Sequence, residues 1–134
     1  MAKLTKVEGI GEVYAGKLVE AGITTTGQLL EKGSTAKGRK ELADQTGISP
    51  KLILEWVNHI DLFRVKGIGE EYADLLEAAG VDTVPELAQR NPDNLYDKLV
   101  EVNAEKKLVR QLPGRNQVRA WVEQAKTLPR VIEY

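Results

Sequence analysis

The chain has 134 residues, of which 42% are apolar and 29% are charged, which is typical of one soluble domain or two small coupled lobes. It has no cysteine and one histidine, His59, which excludes disulfides, thiolate zinc sites, iron–sulfur clusters and multi-histidine metal sites. No apolar run approaches the roughly 18 residues of a membrane helix, and the first six residues lack a signal peptide's apolar stretch, so we expect a cytoplasmic protein with no membrane partner.

The net charge of −1 is distributed unevenly. Residues 1–40 and residues 101–134 each carry seven basic and four acidic side chains. Residues 41–60 carry one basic and three acidic side chains, and residues 61–100 carry four and nine. Two basic ends therefore flank an acidic middle, and they would form one basic face if folding brought them together.

The chain contains an internal duplication. Leu4–Leu30 aligns without gaps on Leu62–Ala88 at an offset of 58, with thirteen of 27 positions identical. Trp56-Val57 is echoed by Trp121-Val122 seven residues out of step, so the second copy is longer in its helical half.

The duplication predicts two lobes, residues 1–60 and residues 61–134, related by pseudo-symmetry. The joining segment, Asp61-Leu62-Phe63-Arg64, is itself apolar and helical in pattern, which predicts a shared interface and no flexible linker. We expect about five short helices in each lobe.

The first copy opens with a short helix whose apolar face contains Leu4 and Val7. Gly9-Ile10-Gly11 then turns the chain into a second helix. Gly22 ends that helix, because glycine adopts the left-handed conformation common just after a helix.

Two pairs have the spacing of a capping box that opens the next helix. They are Thr25 with Gln28 and Thr83 with Glu86. In the first copy Gly33 closes this helix.

A further helix is predicted from about residue 35 to residue 46, where Gly47 stops it. Ser49-Pro50 starts the last helix of the first copy, and Asn91-Pro92 repeats such a start signal in the second. The stripes predicted to be buried in the last helix of each copy are Ile53, Trp56, Val57 and Ile60, and Val118, Trp121, Val122 and Ala125. No strand pattern competes, so the predicted fold class is all-α.

Two segments, VEGIGEVYAGKLVEAGI and VKGIGEEYADLLEAAGV, resemble helix-hairpin-helix motifs. From about Leu4 to Pro129 the chain resembles a bacterial domain family of unknown function that is built from two such units. The resemblance implies an all-α, SAM-like fold with two pseudo-symmetric helix-hairpin-helix lobes.

The wider helix-hairpin-helix superfamily implies sequence-independent DNA binding, in which backbone amides of the Gly-hydrophobic-Gly turn hold a phosphate. Physical chemistry favours this, because glycines permit close approach and the first amides of a helix lack intrahelical partners. The implied phosphate-binding residues, with the neighbouring lysines, are Gly9, Ile10, Gly11, Lys6 and Lys17, and Gly67, Ile68, Gly69 and Lys66.

The residues after each turn depart from the DNA-binding pattern, since Glu12 and Glu70-Glu71 stand there. A carboxylate in the first helical turn stabilises its own helix and opposes a phosphate at the same place. The second hairpin, with Asp74 also nearby, is the weaker candidate. An equally simple interpretation is that Gly-Ile-Gly only joins two helices, in which case the chain is a protein-interaction or scaffold module that has lost phosphate binding.

An enzyme is the least favoured class. Gly11–Leu18 nearly matches a phosphate-binding P-loop, but Leu18 stands where a magnesium-binding Ser or Thr is required. His59 has no Ser or Cys nucleophile close to it in sequence. We therefore expect a non-catalytic binding module with no cofactor, no metal and no small-molecule substrate, whose partner is duplex DNA or another protein.

Basic clusters provide a further indication of a partner. They are Lys37, Arg39 and Lys40; Lys106 and Arg110; and Arg115 and Arg119. These clusters matter for DNA binding only if the fold gathers them on one surface.

Overall fold

The computed structural model describes residues 3–134, and this part of the chain is all-helical. Its elements are a 3-10 helix at Leu4–Lys6 and the helices α1 (Glu12–Glu20), α2 (Thr26–Gly33), α3 (Ala36–Thr46), α4 (Pro50–Leu62), α5 (Glu70–Ala78), α6 (Val84–Ala88), α7 (Pro92–Lys106) and α8 (Arg115–Thr127). Residues 3–134 contain one isolated antiparallel bridge, Lys3 to Thr25, and no strand. The predicted all-α class is confirmed.

The chain divides into two compact units. The first unit runs to Asp61 and also includes Val131–Tyr134, and the second unit is Leu62–Arg130. Residues 131–134, which the duplication predicts to lie in the second lobe, belong to the first unit. They pack with the first unit because Ile132 is buried and because Glu133 forms backbone hydrogen bonds there.

Each helix of the first unit contributes a fully buried apolar side chain. Leu18 of α1, Leu29 of α2, Leu42 of α3 and Ile53 of α4 all have 0% exposure. Burial of one such side chain stabilises the fold by about 1.5–3 kcal/mol relative to leaving it in water. The whole stripe predicted on α4 is buried, which places that helix at the centre of this unit.

The second unit has its own hydrophobic core, in which α8 packs against both α6 and α7. Leu76 of α5, Leu87 of α6 and Leu99 of α7 are fully buried in it. The stripe predicted on α8 is buried as well, including Trp121.

Side-chain caps fix several helix starts. The hydroxyl of Thr25 accepts from the Gln28 amide at 3.2 Å, and Asn91 Oδ1 accepts from the amides of Asp93 and Asn94, both at 3.0 Å. These contacts satisfy amides that have no partner inside the helix.

The second predicted capping box takes a different form. The Thr83 hydroxyl donates to Glu86 Oε1 at 3.3 Å and caps no amide, while Glu86 Oε2 accepts from the Asp82 amide at 3.3 Å. Glu86 therefore accepts hydrogen bonds from both the Thr83 hydroxyl and the Asp82 amide, and the Thr83 side chain does not cap α6 as predicted.

None of the helices within residues 3–134 is long and apolar enough to cross a membrane.

Candidate nucleic-acid interface

The same local backbone geometry precedes α1 and α5. We call residues 7–11 the first turn and residues 65–69 the second turn. In each, the isoleucine amide donates to the valine carbonyl three residues earlier, Ile10 to Val7 and Ile68 to Val65, both at 3.1 Å. The duplicated sequence thus produces two copies of one turn.

The first glycine of each turn is required by conformation and by space. Gly9 has φ +92° and Gly67 has φ +93°, a region that side chains disfavour. A Cβ at Gly9 would lie 3.2 Å from Nε1 of Trp56, and one at Gly67 would lie 3.1 Å from Nε1 of Trp121. The indole edge of a buried tryptophan therefore packs against the first glycine of each turn.

A tyrosine of the following helix packs on each tryptophan. The rings of Tyr14 and Trp56 are 5.2 Å apart at 62°, and those of Tyr72 and Trp121 are 5.2 Å apart at 56°. Such tilted pairs add about 0.5–1.5 kcal/mol beyond area burial. The tyrosines therefore brace the turns and do not form a free stacking platform.

The isoleucines of the turns point into the cores. Ile10 is 3% exposed and Ile68 is 5% exposed. Of the residues predicted to bind phosphate, these two can therefore contribute only backbone groups.

The second glycine of each turn is the open one. Gly11 and Gly69 are exposed N-cap residues of α1 and α5, no side chain caps either helix, and no atom lies within 4 Å of a Cβ built on either glycine. The first amides of these helices therefore have no side-chain cap and lie at the positive end of the helix dipole. Uncapped amides at the start of a helix are groups to which an anionic oxygen can bind.

The predicted lysines surround the turns at different distances. Lys6 ends the 3-10 helix just before the first turn, and Lys66 lies within the second. Lys17 lies in the last turn of α1, about 9 Å along the helix axis from Gly11. All three are exposed, and none forms an ion pair with any carboxylate of residues 3–134.

Lys17 is partly occupied by other contacts. Its ammonium lies 5.9 Å from the Tyr14 ring centroid, and it lines a cleft together with Glu20, Gln45 and Thr46.

Carboxylates distinguish the two turns. At the start of α1, within its first four residues, Glu12 is the one acidic residue, whereas Glu70 and Glu71 both lie at the start of α5. Glu8 adds a carboxylate within residues 7–11, where the second turn has Lys66, so the two turns differ in where their carboxylates lie and not in how many they have.

The second turn is also held by polar side chains of α8. Gln124 Oε1 accepts from the Lys66 amide at 2.8 Å, and Gln117 Nε2 lies 3.7 Å from a Cβ built on Gly67. Sequence reasoning missed these glutamines. The available signal was their position on either side of Trp121, four residues before it and three after.

Two of the basic clusters are arranged differently from what the sequence pattern predicts. Arg39 turns inward, is 6% exposed and donates to the Gly33 carbonyl at 2.8 Å, so it leaves Lys37 and Lys40 without a third surface charge. The Lys106 and Arg110 pair does not share a helix, because α7 ends at Lys106.

The third cluster is neutralised within the second unit. Arg115 pairs with Asp93 at 3.1 Å and with Asp97 at 3.7 Å, and Arg119 pairs with Asp93 at 3.5 Å. Arg115 also lies over the Tyr96 ring, 4.5 Å from its centroid. These arginines fasten α8 to α7, and a phosphate would have to compete with two aspartates.

No group of three or more His, Asp or Glu side chains that could hold a metal ion occurs within residues 3–134.

Comparison with known proteins gives a family and one partial relative. The family model described as "Domain of unknown function (DUF4332)" matches residues 8–128. The redox-sensing transcriptional repressor Rex of Rubrobacter xylanophilus is 39% identical over 56 residues, which are 42% of this chain and 26% of that protein. The chain thus spans about a quarter of the length of this curated relative. No solved structure matches.

Proposed function

We propose that this chain, which belongs to the DUF4332 family, is a non-catalytic module that binds the phosphate backbone of duplex DNA without reading base sequence. The first turn is its main contact, in the manner of a helix-hairpin-helix motif. The observation that carries the proposal is the exposed, uncapped N-terminus of α1 at Gly11. Amide contacts of this kind position a protein on DNA but carry no base information.

Charge supports the first turn over the second. Lys6 precedes the first turn, Lys17 lies in the helix that follows it, and neither forms an ion pair with a carboxylate of the described residues. Glu12 is the one carboxylate among the first four residues of α1. The second turn has Lys66 against Glu70 and Glu71. Residues 6–17 carry two basic and two acidic side chains, whereas residues 64–75 carry two basic and three acidic ones, so the second turn has one more negative charge and we assign it the minor role.

Binding is expected to be weak, because only a few phosphates can be neutralised by these lysines. If two or three phosphates are contacted, affinity falls about 10- to 40-fold between 50 mM and 200 mM salt. The relative named as a transcriptional repressor is compatible with a DNA partner.

A second candidate function, a protein-interaction module, is favoured by one observation. Val13 and Val19 on α1 are 72% and 50% exposed. Val13 lies beside the first turn and Val19 lies in the last turn of α1, and exposed valines suit an apolar partner surface better than a phosphate backbone. Association through these valines would respond little to salt, which separates the two functions.

The test is a fluorescence-anisotropy titration of a labelled DNA duplex at low and moderate salt, with Gly11→Val as the main variant. Gly11 has φ −89° and ψ −173°, which valine adopts readily, and a Cβ there meets no atom within 4 Å. The variant should therefore fold normally and lose most of its DNA binding, because the valine side chain covers the open amides.

Gly114→Val is the matched control. Gly114 is likewise an N-cap glycine with no side-chain cap and with open space at its Cβ position, but Asp93 and Asp97 lie against Arg115 at the start of α8 and oppose a phosphate there. This variant should bind as the parent does. Loss of binding in both variants, or in neither, would contradict the assignment of the first turn.

Glu12→Lys tests the charge argument separately. It replaces an anion at the start of α1 with a cation and should strengthen DNA binding at low salt. Weaker binding by this variant would mean that the phosphate does not lie at the start of α1.

A further inference from the structure

Residues 131–134, which we call the strap, are held by the first unit mainly through their backbone. The Glu133 amide donates to the Ser34 carbonyl at 2.6 Å, and the Glu133 carbonyl accepts from Arg39 Nη2 at 2.8 Å. Both backbone polar groups of one strap residue are therefore bound at the corner between α2 and α3. Recognition of this kind selects an extended main chain and not a particular side chain.

Arg39 is the polar centre of this corner. It is 6% exposed, and its other terminal nitrogen, Nη1, donates to the Gly33 carbonyl at 2.8 Å. No carboxylate of residues 3–134 pairs with it. A buried guanidinium is costly to desolvate, and here carbonyl groups of the corner and the strap provide its hydrogen bonds.

One apolar side chain anchors the strap. Ile132 is 3% exposed, whereas the residues on either side of it are more accessible. Tyr134 is 62% exposed and its hydroxyl donates to Asn58 Oδ1 of α4 at 3.3 Å. The first unit therefore buries a branched apolar side chain at one position of the strap and leaves its neighbours accessible.

The strap is separable from the helices. Residues 129–134 contain no helix or strand, and the contacts that hold residues 131–134 include two backbone hydrogen bonds, the buried Ile132 side chain and the tyrosine contact. A covalently attached segment needs only modest intrinsic affinity to stay bound, because its effective concentration is of millimolar order.

We propose that the corner formed by Gly33, Ser34 and Arg39 is a binding site for an extended peptide with a branched apolar anchor. Residues 131–134 are its intramolecular occupant and act as a releasable strap. This proposal does not depend on DNA binding.

The experiment measures binding of a fluorescent synthetic peptide with the sequence of residues 128–134 to the full chain. Ile132→Asp removes the anchor and should release the strap, so this variant should bind the peptide at least about tenfold more tightly than the parent, in which the strap competes. A peptide with Asp in place of the isoleucine is the control and should not bind.

Arg39→Lys, added to Ile132→Asp, tests the polar centre. Lysine keeps the charge but cannot donate to two carbonyls in the fork geometry of arginine, so peptide affinity should fall about tenfold or more. Circular dichroism checks that each variant is folded. A folded Ile132→Asp chain that fails to bind the peptide would overturn the proposal.

Amide hydrogen exchange on the parent chain provides a test without substitutions. A releasable strap opens locally, so the Glu133 amide should exchange far faster than the amide of buried Ile53 in α4. Equal protection of the two amides would mean that the strap leaves only when the whole unit unfolds, which would also overturn the proposal.

Discussion

Replacing Gly16 and Gly38 with alanine should change stability in opposite directions, although both glycines lie within helices. Gly16 lies on the exposed face of α1, where an added Cβ meets no atom within 4 Å. Gly38 lies in the first turn of α3, where an added Cβ would be 1.9 Å from the Lys32 carbonyl oxygen and 3.2 Å from Thr35 Oγ1.

The magnitudes follow from helix propensity and from the size of the clash. Alanine is favoured over glycine in a helix, so Gly16→Ala should stabilise the chain by about 0.5–1 kcal/mol. At Gly38 the shortest ordinary contact is 3.4 Å, so the Lys32 carbonyl and α3 must separate by about 1.5 Å. The clash partner is backbone, so overpacking should cost about 3 kcal/mol, which leaves a net loss of about 2 kcal/mol.

The assay is urea unfolding followed by circular dichroism, with the parent and both variants compared at one temperature. A Gly38→Ala chain as stable as the parent would show that α2 and α3 do not approach each other as closely as described. A destabilised Gly16→Ala chain would show that the outer face of α1 is covered.

Three further predictions concern stability. Leu18→Ala and Leu76→Ala should each lower the free energy of unfolding by about 2–5 kcal/mol, because both leucines have 0% exposure; thermal melts showing less than about 1 kcal/mol at both sites would place the wrong face of α1 and α5 inside. Gly9→Ala should lower the free energy of unfolding by at least about 1 kcal/mol, because φ is +92° and Trp56 Nε1 lies 3.2 Å from the new Cβ, whereas Gly11→Ala should stay within about 0.5 kcal/mol of the parent. Equal free energies of unfolding for the two variants in urea would refute the distinction. The Lys32 ammonium, 2.8 Å from the Glu41 carboxylate, holds the pKa of that carboxyl below its usual value, so the pair stabilises the fold at neutral pH and this contribution disappears as pH falls through the lowered pKa. The difference in stability between the parent and Glu41→Gln should therefore shrink on acidification, and a difference that grows would contradict the assignment.

Local signals in the sequence predicted most of the fold. Gly47, with φ +74°, ends α3, and Asn91 caps α7, as these residue types indicate. The buried stripes of α4 and α8 followed from helical spacing alone. Such features depend on neighbours within one or two turns, so periodicity and capping chemistry are enough to identify them.

Features that depend on distant residues could not be predicted. Arg39 has the same sequence setting as an exposed lysine, and one of the two carbonyls that it contacts in its inward position belongs to Glu133, which lies 94 residues away. The charges of Arg115 and Arg119 are offset by Asp93, more than 20 residues earlier in the chain. A count of basic residues therefore overestimates the positive surface available to DNA.

Part of the candidate site was predicted and part required the structure. The Gly-Ile-Gly pattern indicated the position of both turns, and their local geometry is the same. The different tasks of the glycines could not be read from the pattern, because Gly9 is needed for its positive φ and for the space beside Trp56 while Gly11 is open. Only residues far along the chain, such as Trp56, create that difference.

The most direct test of DNA-backbone binding follows the backbone amides themselves by nitrogen-15 nuclear magnetic resonance during titration with a short duplex. At low salt the amide signals of Gly11, Glu12 and Val13 should shift most, those of Gly69 and Glu70 should shift less, and that of Gly114 should stay in place. Added salt should reverse these shifts as counterions return to the phosphates. Duplex binding that leaves the amides of Gly11–Val13 unmoved, or no shift anywhere at low salt, would contradict the account.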